Sequence, residues 1–501
     1  MKKKIIFWLN AGITQFAIAY YLQKNFDCDL YAVIDITNRP KPFFQNQQLV
    51  NFKKIWFLHD NINFDKAPNL EYLKNFEIRN DIKLWTLLLN DRIFNQYNEI
   101  YHFNEKEMLS IITQECDLFE DILDHVQPDF FITEETALRH HHLFYLLCRS
   151  RKIQTLMLNH ANFQSFCYIS QERHKFDNLD SFQGDSKNSR SFSDLKKLLK
   201  EKPLVKHLLE FNETQRSSKD KINAGLEFLS SPNTNLENNY YYFGRNKFKV
   251  LNYEISEILK KRSRQKFIDE NLLKTFDTDE KFIFFPLHQE PERSLLIAAP
   301  YFTNQIEIIR FIAKSIPIDY KLYVKEHPTQ GPVRGWRDIE FYKNIMSIPN
   351  VRLLHPSLDS EKLIQSSSLV ISIGGTTSFE AAFYEKPSMV FADLGYNVLS
   401  SVTKINSITE LPTLILSSLK NSVSAVELDS YVRLLENNSF SYDYLEFELL
   451  YHKEFYHGGN LVDVEIPEEK MVSFLTKHKE KLEFLTSQYI KKIELFDKQE
   501  I

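Results

Sequence analysis

Short apolar runs alternate with longer amphipathic stretches twice along this chain, once over residues 5–158 and again over 281–391. In the first stretch residues 5–9, 30–34, 55–58, 130–133 and 155–158 are apolar at nearly every position, the pattern of strands buried on both faces. Between some of them, 14–25, 107–126 and 138–151 repeat apolar residues at helical spacing, and Pro128-Asp129 marks a helix-to-strand junction. The second stretch is more regular. It predicts strands over 281–286, 320–325, 351–354, 369–373 and 388–391, with helices over 304–314, 338–346, 360–366 and 377–384. Each stretch therefore reads as a parallel sheet covered by helices.

From about 170 to 279 the pattern gives way to polar and charged sequence. Residues 181–193, rich in Ser, Asp, Asn and Lys, read as a mobile loop, followed by helices over 219–229 and 248–271. The last hundred residues look helical, with 468–479 and 481–496 the clearest segments. The organisation expected is an N-terminal Rossmann-like acceptor domain (1–170), a loop and helical insertion (171–279), a C-terminal Rossmann-like nucleotide domain (280–400) and a helical region packing across both (401–501). Two such domains facing a cleft form the α/β GT-B-like architecture, whose ligands bind at the C-terminal ends of the strands.

Several polar groups fall at those ends. Gly374-Gly375-Thr376-Thr377-Ser378 follows an apolar strand and opens a helix, where small residues, free amides and hydroxyls suit a phosphate. Thr377 and Glu380 also fit a capping box that merely starts the helix, and Glu380 is suited to a ribose hydroxyl. Lys325-Glu326-His327-Pro328 ends another strand, with His327 a candidate donor to a leaving phosphate and Glu326 able to raise its protonated fraction. His288, Glu290, Glu292 and Arg293 crowd the end of a third and suit a cleft wall or the donor. In the first half Glu134, Glu135 and His160 end strands and are candidate general bases, and Asn10-Ala11-Gly12 bounds the same side.

Composition narrows the chemistry. The 62 basic and 67 acidic residues leave a net charge of -5, against a dedicated nucleic-acid binder. Four scattered cysteines form no Cys-x-x-Cys pair, which points to a reducing, cytoplasmic setting without a disulfide framework. The basic start and apolar run at 5–9 imitate a signal peptide, but Asn10 and Gly12 interrupt it and a buried strand explains it better. No run approaches the roughly 20 apolar residues of a membrane span, so membrane contact is expected to be peripheral. Asp27-Cys-Asp29 and Asp277-Thr-Asp279 precede strands and read as turns, and His140-His-His142 spreads around a helix. Neither suggests a metal site, and no cofactor is expected.

The segments 285–292 (Phe-Pro-Leu-His-Gln-Glu-Pro-Glu), 322–328 (Leu-Tyr-Val-Lys-Glu-His-Pro), 350–354 and 373–381, followed by Lys386-Pro387, resemble the capsule polysaccharide biosynthesis family, which includes Kdo transferases. The resemblance covers residues 280–400 well and the first domain by general pattern. It implies a GT-B glycosyltransferase that moves Kdo or another acidic sugar from a CMP-activated donor to a capsular polysaccharide or glycolipid acceptor, and the placement of both Asp-x-Asp matches before strands makes a metal-independent mechanism the expectation. By likeness to CMP-sialic acid transferases, His327, Thr376, Thr377 and Ser378 would contact CMP. Partners implied are the nucleotide sugar, the acceptor, and the inner membrane face or an export complex. The same motifs are similar to those of CDP-polyol transferases of teichoic acid synthesis, although Thr377-Ser-Phe-Glu380 lacks their two-residue spacer. A nucleotide-sugar 2-epimerase and a non-catalytic assembly protein on the same fold stand as alternatives.

Overall fold

The computed structural model describes residues 2–95, 100–161, 163, 165–179, 182, 189–199 and 217–499, so most of the 181–193 stretch lies outside the described residues. Strands β1 (Lys3–Leu9), β2 (Cys28–Ile34), β3 (Phe52–Phe57), β4 (Phe130–Glu134) and β5 (Gln154–His160) run parallel in the order β3-β2-β1-β4-β5, and β6 (Phe166–Ser170) returns antiparallel beside β5. A second sheet holds β7 (Phe282–Pro286), β8 (Lys321–Lys325), β9 (Val351–Leu354), β10 (Leu369–Ser372), β11 (Ser388–Val390) and β12 (Val402–Lys404), all parallel, in the order β12-β11-β10-β7-β8-β9. A short β13 (Phe440–Ser441) then pairs with β6 and completes the first sheet.

Both sheets have the doubly wound order. The chain builds outward from a first strand and then restarts on its other side, so the switch points lie between β1 and β4 and between β7 and β10. Helices covering both faces explain why Ile5–Leu9 is apolar throughout, with no residue more than 1% exposed. On one face Phe16 and Leu22 of the helix Ile13–Asn25 meet Leu482 and Tyr489 of the helix Lys479–Gln499. On the other, Trp8 and Phe131 pack against Phe119 and Phe144 from the helices Glu105–Val126 and Arg139–Ser150. Asn104 and Glu107 form a capping box at the start of Glu105–Val126, and left-handed Gln127 ends it just before Pro128.

The GT-B-like class of fold expected is present as two doubly wound sheets, with the helices Ser218–Ser230 and Lys247–Asn271 before the second sheet and Tyr444–Phe455, Glu468–Lys477 and Lys479–Gln499 after it. Three strands depart from the sequence pattern. β6, β12 and β13 are short segments whose pairing is decided by a neighbouring strand edge, not by their own periodicity. After β6 the chain leaves the first domain, and Phe176, Leu195 and Leu199 join the second domain's core. Among the described residues no helix is long and apolar enough to cross a membrane.

Candidate functional site

Each switch point opens into a cavity. That of the second domain, about 230 Å³, is lined by the Gly374–Thr377 turn, His288, Glu292 and His327. Gly375 is the N-cap of the helix Thr376–Phe383 and has no side chain to cap it, so the first-turn amides are left for a ligand. The capping box anticipated at Thr377 does not form; Thr376 Oγ1 donates to Glu380 Oε1 at 3.3 Å instead. The glycine pair answers to close packing. A Cβ on Gly374 would lie 2.7 Å from Ala392 Cβ, and one on Gly375 would lie 3.1 Å from His288 Cε1.

His288 is the immediate neighbour of this turn because β7 lies between β8 and β10. Its Nε2 accepts the Gly374 N–H at 3.2 Å, and burial holds its pKa down to about 4, so the ring is neutral. His327 lines the same cavity from the end of β8. Its Nδ1 accepts from Thr329 N at 3.3 Å and Thr329 Oγ1 at 2.8 Å, which leaves the proton of the neutral ring on Nε2. Glu326 does favour the protonated ring, as does Glu292, but burial outweighs both and lowers the His327 pKa.

Other sequence candidates are placed elsewhere. Glu326, fully buried, accepts from His327 N at 2.7 Å, Arg337 Nε at 3.0 Å and Tyr342 OH at 2.8 Å. Arg337 also holds Glu290 and the His288 carbonyl, so Glu290 and Glu326 brace the loops behind the cavity. Lys325 donates to Ser360 Oγ at 2.8 Å, with its pKa pushed down to about 8 by burial, and Pro328 is exposed; neither lines the cavity. Ser378 is buried with its Oγ 2.7 Å from Ser372 Oγ, which turns the third expected hydroxyl inward. Glu292 accepts from Ser294 Oγ at 2.7 Å. Arg293 reaches the first domain, where it donates to the Thr136 carbonyl.

Two residues that sequence reasoning missed complete this cavity. Arg173 and His174, in the turn after β6, line it from the first domain's side. They stand in the charged run Gln171-Glu-Arg-His-Lys175, whose only signal was polar crowding after an apolar segment that had not been read as a strand. Lys175 ties the turn to Asp393 at 2.9 Å, and the His174 carbonyl accepts from Gly395 N at 2.8 Å.

The first domain's cavity, about 460 Å³, lies at the ends of β1, β2 and β4. Glu134 accepts from Asn10 Nδ2, and from Tyr444 OH at 3.4 Å. Burial raises its pKa to about 7 against those hydrogen bonds. Glu135 beside it is partly buried, yet Arg173, His174 and His160 overcome that burial and hold it at about 2. Adjacent carboxylates thus differ in charge state, one able to exchange a proton near neutral pH and the other held as an anion. His160 lines neither cavity; it sits behind Glu135, its own pKa lowered by burial. The three-histidine run is structural: His140 Nε2 is 2.7 Å from Asp35 Oδ2, His141 Nε2 is 2.6 Å from Thr133 Oγ1, and His142 Nδ1 is 3.0 Å from Thr136 Oγ1. Among the described residues no group of three metal-ligating side chains is gathered.

The segment carrying the glycine turn, His288 and His327 has a counterpart among protein families. Residues 217–407 match the capsule polysaccharide biosynthesis protein family. The resemblance read from the motifs holds over that span. Solved structures similar to the chain include Methanocaldococcus jannaschii UDP-GlcNAc 2-epimerase in complex with UDP-GlcNAc and UDP (14% identity, TM-score 0.26, 87% of this chain and 100% of that one). Another is the Neisseria meningitidis UDP-GlcNAc 2-epimerase bound to UDP-GlcNAc (14% identity, TM-score 0.26, 87% and 99%). A third is Thermosulfurimonas dismutans KpsC, a beta Kdo 2,7 transferase (12% identity, TM-score 0.30, 74% and 97%). No curated protein matches the chain. The strand order, not these scores, defines the architecture.

Proposed function

We propose that the protein is a glycosyltransferase of capsule-type polysaccharide synthesis that moves a sugar from a CMP-activated donor, such as CMP-Kdo, to a polysaccharide or glycolipid acceptor. The observation that carries this reading is the pair of cavities at the two switch points, one lined by an uncapped helix start, His327 and Arg173 and the other holding a carboxylate with a pKa of about 7. In the second domain the Thr376–Phe383 amides, the His327 Nε2–H and Arg173 meet the nucleotide phosphate and its growing charge as the sugar departs. In the first domain Glu134 takes the proton of the acceptor hydroxyl while that oxygen bonds the anomeric carbon and the bond to phosphate breaks. Donation by backbone amides, His327 and Arg173 supplies this stabilisation from the chain itself.

Incubation with CMP-Kdo, CMP-sialic acid, CDP-glycerol and UDP-GlcNAc, with product nucleotide measured, tests the reading. CMP release dependent on an acceptor supports it. Turnover of CDP-glycerol alone moves the assignment to polyol-phosphate transfer, and acceptor-free rearrangement of UDP-GlcNAc moves it to epimerisation. Turnover of none, with polysaccharide intact in cells carrying His327→Ala, leaves a non-catalytic assembly role.

A further inference from the structure

Resting on the transferase reading above, we propose that the 460 Å³ cavity of the first domain is the subsite for the acceptor's terminal sugar, and that it takes a hydroxyl-bearing sugar without negative charge. Its volume is that of a small-molecule site. Asp35, Glu134, Glu135 and Glu448 line it, and among the described residues no lysine or arginine does. Asp35 shares its charge with His59 Nε2 at 2.9 Å and His140 Nε2 at 2.7 Å, and Glu135 with Arg173, whose side chain lines the other cavity. His452, also on the wall, stands 3.5 Å from Glu448. A carboxylate or phosphate on the entering sugar would meet like charge and find no lysine or arginine on this wall.

The wall is also a built polar site with hydrogen-bonding capacity unspent. Asn239, only 1% exposed, accepts from Tyr241 N through Oδ1 at 3.0 Å. A backbone N–H can only donate, so the amide's orientation is fixed and Nδ2 is its remaining donor. Among the described residues that buried Nδ2 has no partner, nor has the buried Oγ1 of Thr37 on the same wall. A buried donor left unmade costs free energy, which a sugar hydroxyl accepting from Asn239 removes. Carboxylates that accept, an amide that donates and the aromatic residues Tyr241, Tyr444 and Tyr451 line a mixed surface of the kind a neutral sugar requires. Asn239 comes from the insertion, and Asn38 N donates to neighbouring Asn235 Oδ1 at 2.7 Å, so the insertion closes this cavity as well as linking the domains.

The test is saturation-transfer NMR and calorimetry on the full chain with p-nitrophenyl β-glucoside, β-galactoside and β-N-acetylglucosaminide against p-nitrophenyl β-glucuronide, which differs from the glucoside by a carboxylate at C6. At least one neutral glycoside is expected to bind, and the glucuronide at least about tenfold more weakly than the glucoside. Asn239→Asp, which keeps the acceptor and removes the donor, is expected to weaken the neutral glycoside. Glu448→Lys is expected to narrow or reverse the discrimination; retained CMP binding in the other cavity shows that a variant is folded. Equal or tighter glucuronide binding overturns the proposal, as does failure of all neutral glycosides. If CMP binds while every glycoside fails, the subsite assignment falls and the transferase reading stands. If glycosides bind as expected while no nucleotide does, the transferase reading falls instead.

Discussion

Arg173 Nε lies 2.6 Å from Glu135 Oε2, and the two residues line different cavities. The ion pair is therefore part of the wall between the proposed donor and acceptor sites. It leaves Arg173 within reach of an anion on its own side while pinning Glu135 as a carboxylate on the other.

Replacing Arg173 by alanine is expected to weaken CMP binding by about tenfold to a hundredfold, the worth of one charge-assisted hydrogen bond, read by calorimetry. The same change should alter acid stability. Glu135 titrates at about 2 in the folded protein, below the ordinary carboxyl value, so its contribution is present above that value and lost as pH falls toward 2. Without Arg173 that loss begins at higher pH, visible as an earlier acid-unfolding midpoint.

Glu134 predicts the pH dependence of turnover. The proposed base must be ionised, so kcat/KM should rise with pH through about 7. Asn10 favours the ionised form, and Asn10→Ala should move that limb upward. Glu134→Gln should lower kcat by about 10² to 10⁴-fold. Stability runs the other way: a buried carboxyl with a raised pKa favours the fold fully below its unfolded value and loses that contribution as pH rises through about 7. Glu134→Gln should therefore gain stability relative to the parent at pH 8 and not at pH 4, measured by urea midpoints.

The hydroxyls of the glycine turn should separate. Ser378→Ala should leave CMP affinity nearly unchanged while costing about 1 kcal/mol of stability, because its hydroxyl faces Ser372. Thr377→Val, on the cavity wall, should weaken CMP binding with little change in stability. Equal effects from both would contradict the geometry.

Gly374→Ala should lower stability by about 1 to 3 kcal/mol through overpacking against Ala392, and weaken nucleotide binding by moving the turn. Thermal unfolding with and without CMP separates the two effects.

Turnover is expected to persist in a chelator, since amides, His327 and Arg173 carry the positive potential at the phosphate. Loss of activity in EDTA, restored by a divalent cation, would contradict this.

The parallel sheets were legible because β1, β4, β7 and β10 are buried on both faces and so read as unbroken apolar runs. The placement of the glycine turn and His327 on one cavity was legible because each follows an apolar strand of the same sheet. Arg337, Arg173 and Asn239 were not, since each acts through partners distant in sequence: Arg337 on Glu290, Arg173 on Glu135, and Asn239 across the first domain's cavity wall. Ser378 was misread for a local reason. Position three of a helix can face inward or outward, and only the contact with Ser372 decides.

β13 has a consequence for the order in which the molecule is made. The first domain needs Phe440–Ser441 to cover the edge of β6 and the helix Lys479–Gln499 to cover Phe16 and Leu22. On the ribosome the second domain, whose core closes with Leu428, Val432 and Leu435, has all its parts while the first is still open. The half of the protein synthesised first is therefore expected to finish folding last, and chains broken off between residues 400 and 440 are expected to expose the apolar face of the helix Ile13–Asn25.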